Sequence, residues 1–65
     1  MAKFITLVNR NMIDGKETLR CINISIIKEL ASFSDTITMV KIDNETLFVP
    51  GKLNEIQLLI ENRDK

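Results

Sequence analysis

The change of hydrophobic period at Pro50-Gly51 constrains this chain more than any other feature. Proline cannot donate to a β ladder and glycine frees the backbone to turn, so the pair ends whatever strand precedes it. Beyond it, Leu53, Ile56, Leu59 and Ile60 recur at helical spacing, with Asn54, Glu55, Gln57 and Glu61 between them. This pattern predicts an amphipathic helix from Lys52 to about Asn62. Before it, the chain is a series of short β-branched runs separated by turn residues.

Phe4-Ile-Thr-Leu-Val8 reads as a first strand with Ile5 and Leu7 on one face. Asn9 to Lys16 interrupts the pattern with Asn9, Asn11 and Asp14-Gly15, residues that favour turns. Glu17 to Ile22 forms a second strand, with Leu19 and Cys21 alternating against Thr18 and Arg20, and Leu19 counted with the core. Ile22 to Phe33 carries two signals. Ile22, Ile26, Ile27 and Leu30 have helical spacing with Asn23 available as a cap, whereas the wealth of isoleucine fits a strand. Periodicity does not decide between them; the reading adopted is a turn around Asn23-Ser25 and a strand from about Ile27 to Phe33. Thr36–Ile42 and Glu45–Val49 form a hairpin across Asp43-Asn44, a turn that tolerates φ > 0. In the first of these strands the apolar side switches from Ile37 and Met39 to Val40 and Ile42, as a bulge or burial on both sides would allow.

The expected fold class is therefore α+β: four or five short, mainly antiparallel strands in a curled sheet or partial barrel, followed by one C-terminal amphipathic helix. The whole of 1–65 reads as one small domain, since a chain of 65 residues buries only about 60% of its unfolded surface and supports one core.

The elements and their turns resemble the small flagellar proteins of the FlbD kind. The resemblance is carried by Asp14-Gly15-Lys16-Glu17, Ile22-Asn23, Ile27 and Leu30, then by Asp35-Thr36-Ile37-Thr38, Leu47-Phe48-Val49, and Leu53-Asn54-Glu55-Ile56 with Leu59-Ile60. The chain departs from that pattern at Asp43-Asn44, where the family usually has Asn-Gly, and at Gly51-Lys52, where it usually has a Glu-Ser helix cap. What the resemblance implies is the fold; it brings no catalytic residue.

Chemistry is sparsely provided. Without histidine, the commonest general base and nitrogen metal ligand are missing. Asp35 and Asp43 stand at opposite ends of one strand, too far apart for an acid/base pair. Asp14-Gly15-Lys16 has one glycine where a phosphate loop needs several. Cys21 is the only cysteine, which excludes an intrachain disulfide, and its flanking residues suggest a small buried hydrophobe. The chain reads as no enzyme, with no catalytic, metal-binding or cofactor-binding residue and no cofactor. The opening Met-Ala-Lys-Phe-Ile-Thr-Leu-Val reads as a strand and not a signal peptide, and no apolar run is long enough for a membrane span, so a cytoplasmic protein is expected.

Two functional readings follow. Nine Lys/Arg balance nine Asp/Glu, which gives no surplus for phosphates. A nucleic-acid-binding regulator is therefore the second reading, encouraged by a strands-then-helix order similar to that of the carbon storage regulator family, whose motifs are not visible here. Its stacking platforms would have to come from Phe4, Phe33 and Phe48, for which core packing is the simpler role. The first reading is an assembly module. One short helix cannot cover both faces of a sheet, and Phe4, Val8, Met12, Ile13 and Phe48 form the candidate interaction surface for a homo-oligomer or protein partner. Ile24 is also counted as hard to bury.

Overall fold

The computed structural model describes residues 3–64. In chain order the elements are β1 (Phe4–Arg10), β2 (Glu17–Asn23), a 3₁₀ turn (Ile24–Ile26), β3 (Glu29–Ser34), β4 (Ile37–Lys41), β5 (Thr46–Pro50) and α1 (Leu53–Asp64). The α+β class is the one expected. The strands form two antiparallel sheets, β1-β2 and β3-β4-β5, which are not closed into a barrel.

Each sheet has one face on a common core. The β1-β2 register pairs Ile5 with Ile22 and Leu7 with Arg20, and Ile5, Leu7 and Ile22 are buried together with Val40, Ile42, Leu47, Val49 and Ile56. Ile24, Ile26, Ile27, Leu30 and Ile60 pack around this cluster, so Ile24, expected to be hard to bury, lies against the core. β1 lies beside β5, and the Phe48 N–H donates to Asn9 Oδ1 at 3.0 Å. A side-chain amide thus takes the place of a backbone acceptor where the two sheets meet.

Several expectations are corrected. Leu19 and Cys21 are exposed, while Ile22 is buried. The hairpin register turns Ile22 toward Ile5 and puts its odd-numbered neighbours on the opposite face, because strand side chains alternate. Leu59, read as part of the core stripe, is about half exposed, and Leu58 is too; of the helix, Ile56 is buried and Ile60 half-buried. Phe4 and Phe33 are also about half exposed rather than packed in the core. Of the two ways expected to accommodate the switching pattern in β4, burial on both sides is the one found, and the bulge lies in the neighbouring β3, between Ser32 and Ser34. β4 buries Ile37 on one side and Thr38, Val40 and the following Ile42 on the other, alongside a half-buried Met39.

Local chemistry explains the segment that periodicity left open. Asn23 Oδ1 accepts from the N–H and the hydroxyl of Ser25, each at 2.9 Å, and so caps a single 3₁₀ turn before β3 begins. At the other end of the sheet, Thr38 is fully buried and its Oγ1 donates to the Gly51 carbonyl at 3.0 Å. The Gly51 N–H donates to the Thr36 carbonyl. These two bonds fix the exit from β5. Lys52 supplies the carbonyl that accepts the first helical bond, from Ile56 N–H at 3.0 Å. Gly51 has φ +140°, and a Cβ there would lie 3.0 Å from Ile56 Cδ1, so the residue must be small as well as flexible.

Candidate functional site: a hairpin tip, an open edge and a cleft

The β1-β2 connection is held by its own hydrogen bonds. Asn11 Oδ1 accepts from the Ile13 N–H at 2.8 Å, the Gly15 N–H donates to the Asn11 carbonyl at 2.8 Å and the Asn11 N–H to the Lys16 carbonyl at 2.7 Å. Asp14 Oδ1 accepts from the Lys16 N–H at 2.9 Å. Gly15 takes the left-handed conformation, φ +76°, open to glycine without penalty. Asn11, Asp14 and Gly15 are three of the four residues whose turn chemistry the sequence announced; the fourth, Asn9, does not turn the chain but lies in β1, where its side chain accepts from the Phe48 N–H. The bonds of the other three hold Met12 and Ile13 at the tip in solvent, and Ile13 is 97% exposed.

Below the tip, β2 runs for seven residues in unbroken register with β1. The Ile24 N–H donates to the Lys3 carbonyl and the Asn11 N–H to the Lys16 carbonyl. Lys3/Ile24 and Asn11/Lys16 are therefore the directly bonded type of antiparallel pair, and the pairs between them alternate in type. It follows that the even-numbered residues of β2 turn their backbone groups toward β1, whereas Glu17, Leu19 and Cys21 turn theirs to the outside. Their side chains also face away from the core, on the same side as Val8, which stands opposite Leu19. Leu19 is 73% exposed.

The Arg20–Ile22 end of the β2 edge, Cys21 included, borders a cleft of about 470 Å³. Ile22, Ile26 and Ile42 form its apolar part, and Arg20, Asp43 and Glu45 its charged border. Arg20 donates to Glu45 in an ion pair that ties β2 to the β4-β5 turn. The hydrogen bond to Glu45 raises the Arg20 pKa further, and the bond from Arg20 holds the Glu45 carboxyl below the ordinary range. That turn closes with the Ile42 N–H on the Glu45 carbonyl at 3.0 Å. Asp43 and Asn44 both keep negative φ, so the left-handed geometry open to them is not used.

Of the five residues expected at an interaction surface, Phe4, Met12 and Ile13 are exposed, and Val8 and Phe48 are half-buried. Met12 and Ile13 share the tip, and Val8 lies on the outer face of the same hairpin. Phe48 belongs to the other sheet, where its ring meets Phe33 edge-on at 5.3 Å between centroids and 78° between planes. Phe33 is the bulge residue, without a register partner in β4. Leu19, Cys21 and the cleft were missed as surface features; the hairpin register, which places Leu19 opposite Val8, is the signal that could have found the first two.

No family model, curated protein or solved structure matches this chain.

Proposed function

We propose that this chain is a small non-enzymatic binding or assembly module that self-associates through a sheet face or edge. The observation that carries the reading is the outer side of the β1-β2 hairpin. Outward backbone donors and acceptors run along β2, Leu19 and Cys21 are exposed on it, and apolar residues crown a tip held by its own hydrogen bonds. Exposed strand edges invite pairing with another strand. A preformed apolar knob gives up little conformational entropy on docking.

The nucleic-acid alternative loses support from ion pairing. Arg10 meets Glu17 at 2.8 Å, Arg20 meets Glu45, and Lys41 lies 3.7 Å from Glu29, so three of the cations that would have to gather for phosphates already face carboxylates. The non-enzymatic part rests on the missing histidine and on the separation of Asp35 from Asp43 by the whole of β4. The FlbD likeness stands as a proposal of kinship in fold, on the residues quoted for it above.

Sedimentation equilibrium over a range of concentrations at moderate salt tests the reading. A dimer or larger species, dissociated by Leu19→Lys with an unchanged circular dichroism spectrum, is the expected result. A monomer at every concentration overturns it.

A further inference from the structure

We infer that two copies of this chain pair antiparallel through β2 about a twofold axis at Leu19, so that each hairpin tip docks beside the cleft of the other copy. The inference rests on the self-association proposed above and specifies its geometry.

The geometry follows from the outward groups of Glu17, Leu19 and Cys21. A symmetric antiparallel ladder must pair residues of this set with one another. Centring it on Leu19 places Glu17 opposite the partner's Cys21, Arg20 opposite the partner's Thr18 and Lys16 opposite the partner's Ile22. The neighbouring alternatives are worse. A shift to one side sets Arg20 against Arg20, and a shift to the other sets Lys16 against Arg20, each a direct like-charge pair. Centring on Cys21 carries the ladder into Asn23, the cap of the 3₁₀ turn, and puts Thr6, not Val8, beside the axis. About Leu19, the two leucines and the two Val8 side chains form one apolar patch.

Shape agrees with this register at its ends. The cleft border carries Asp43 and Glu45, of which Glu45 pairs with Arg20 and Asp43 lies 3.4 Å from the Lys28 ammonium, so its charges are already matched. Lys16 falls level with the partner's Ile22, which lines that cleft, and it has the parity of the residues that face it. Its ammonium has no ion pair among the described residues. Beyond Lys16, the tip lies level with the partner's 3₁₀ turn, where Ile26 lines the same cleft. In this register Met12 comes level with the partner's Ile26 and Ile13 with the partner's Ser25, so that the exposed tip comes down beside the apolar recess.

Site-directed cross-linking tests the register. In a directly bonded antiparallel pair the Cα atoms stand about 5.5 Å apart, within the roughly 4.4–6.8 Å that a disulfide spans. Leu19→Cys with Cys21→Ser should form a covalent dimer on mild oxidation or with a short bifunctional maleimide. Glu17→Cys, keeping Cys21, should do so as well, and the unaltered chain should not. All three changes are at exposed positions. Ile13→Asp should weaken the dimer by about tenfold or more, as expected for losing one buried isoleucine, and leave the circular dichroism spectrum unchanged. If the chain is a dimer by sedimentation but cross-links through native Cys21, or through none of these positions, the register is overturned while self-association stands. An unchanged dissociation constant for Ile13→Asp overturns the docking of the tip. A monomer before any cross-linking removes both proposals.

Discussion

Asn9→Ala isolates the polar bond that joins the two sheets. The Asn9 amide accepts from the Phe48 N–H at 3.0 Å in a partly buried setting. Removing the acceptor leaves a backbone donor there without a partner, which costs about 1–3 kcal/mol. A domain of this length is stable by only roughly 3–10 kcal/mol, so the loss is a sizeable fraction of the whole. In urea, with a slope of about 1 kcal/mol/M for a small protein, the midpoint should fall by roughly 1 M or more; the melting temperature should fall by at least about 4 °C. Asn9→Asp keeps an oxygen acceptor in the same place and should recover much of the loss near neutral pH. Equilibrium urea unfolding at one fixed protein concentration measures all three proteins. A change under about 0.3 kcal/mol for Asn9→Ala, or an aspartate no better than the alanine, would show that water serves Phe48 equally well and that apolar contact alone holds β1 to β5.

Other perturbations address the rest of the scaffold. Thr38→Val keeps the volume of a fully buried side chain but removes its bond to the Gly51 carbonyl, and should lower the unfolding free energy by roughly 1–3 kcal/mol in chemical denaturation. Gly51→Ala combines a left-handed φ with a 3.0 Å approach to Ile56 Cδ1 and should cost about 1–3 kcal/mol, read as a lower melting temperature. For the Arg20–Glu45 pair the sign follows from the lowered Glu45 pKa. Its contribution is complete above the ordinary value of 4.5 and is lost as pH falls through the lowered one. Glu45→Gln should therefore reduce the dependence of stability on pH below 4.5, as followed by urea midpoints across acid pH; an unaltered slope would contradict the coupling.

The sequence carried the elements better than the faces. Turn chemistry at Asn11, Asp14 and Gly15, and the break at Pro50-Gly51, placed the strands and the helix because their causes are local. The orientation of β2 depends on register. Judged by hydrophobicity alone, Leu19 and Cys21 outvote Ile22, yet the loop sets Ile22 opposite Ile5, and a slip of one residue would turn every side chain over. Arg20 is tolerated on the inner parity because its aliphatic stem reaches the border, where Glu45 meets the charge. Leu59 went astray for a related reason. On a helix of 3.6 residues per turn, Ile56 and Ile60 lie about 40° apart, while Leu59 sits about 60° to the other side of Ile56. Small sheets do not cover so wide a stripe. The cleft was illegible because Ile22, Ile26, Ile42 and Glu45 come from separate segments and meet only in the folded chain.

The two outer edges of the fold differ in a way that bears on the size of any assembly. β3 is interrupted by the bulge at Phe33 and has α1 packed against it, two devices that obstruct a further strand. β2 has an unbroken register and no proline. Pairing β2 with β2 about a twofold axis uses the same edge on both copies, and the edges that remain outermost are the bulged ones. The proposed pairing would be closed and isologous, since it leaves neither copy's β2 edge free for a third. By the same logic, a variant that straightens β3, by deletion of Phe33, should extend association beyond the dimer, while Leu19→Lys should still abolish it. If Leu19→Lys left the larger species intact in the Phe33-deleted background, assembly would have to run through β3 alone, and the asymmetry between the two edges would not explain the state of the native chain.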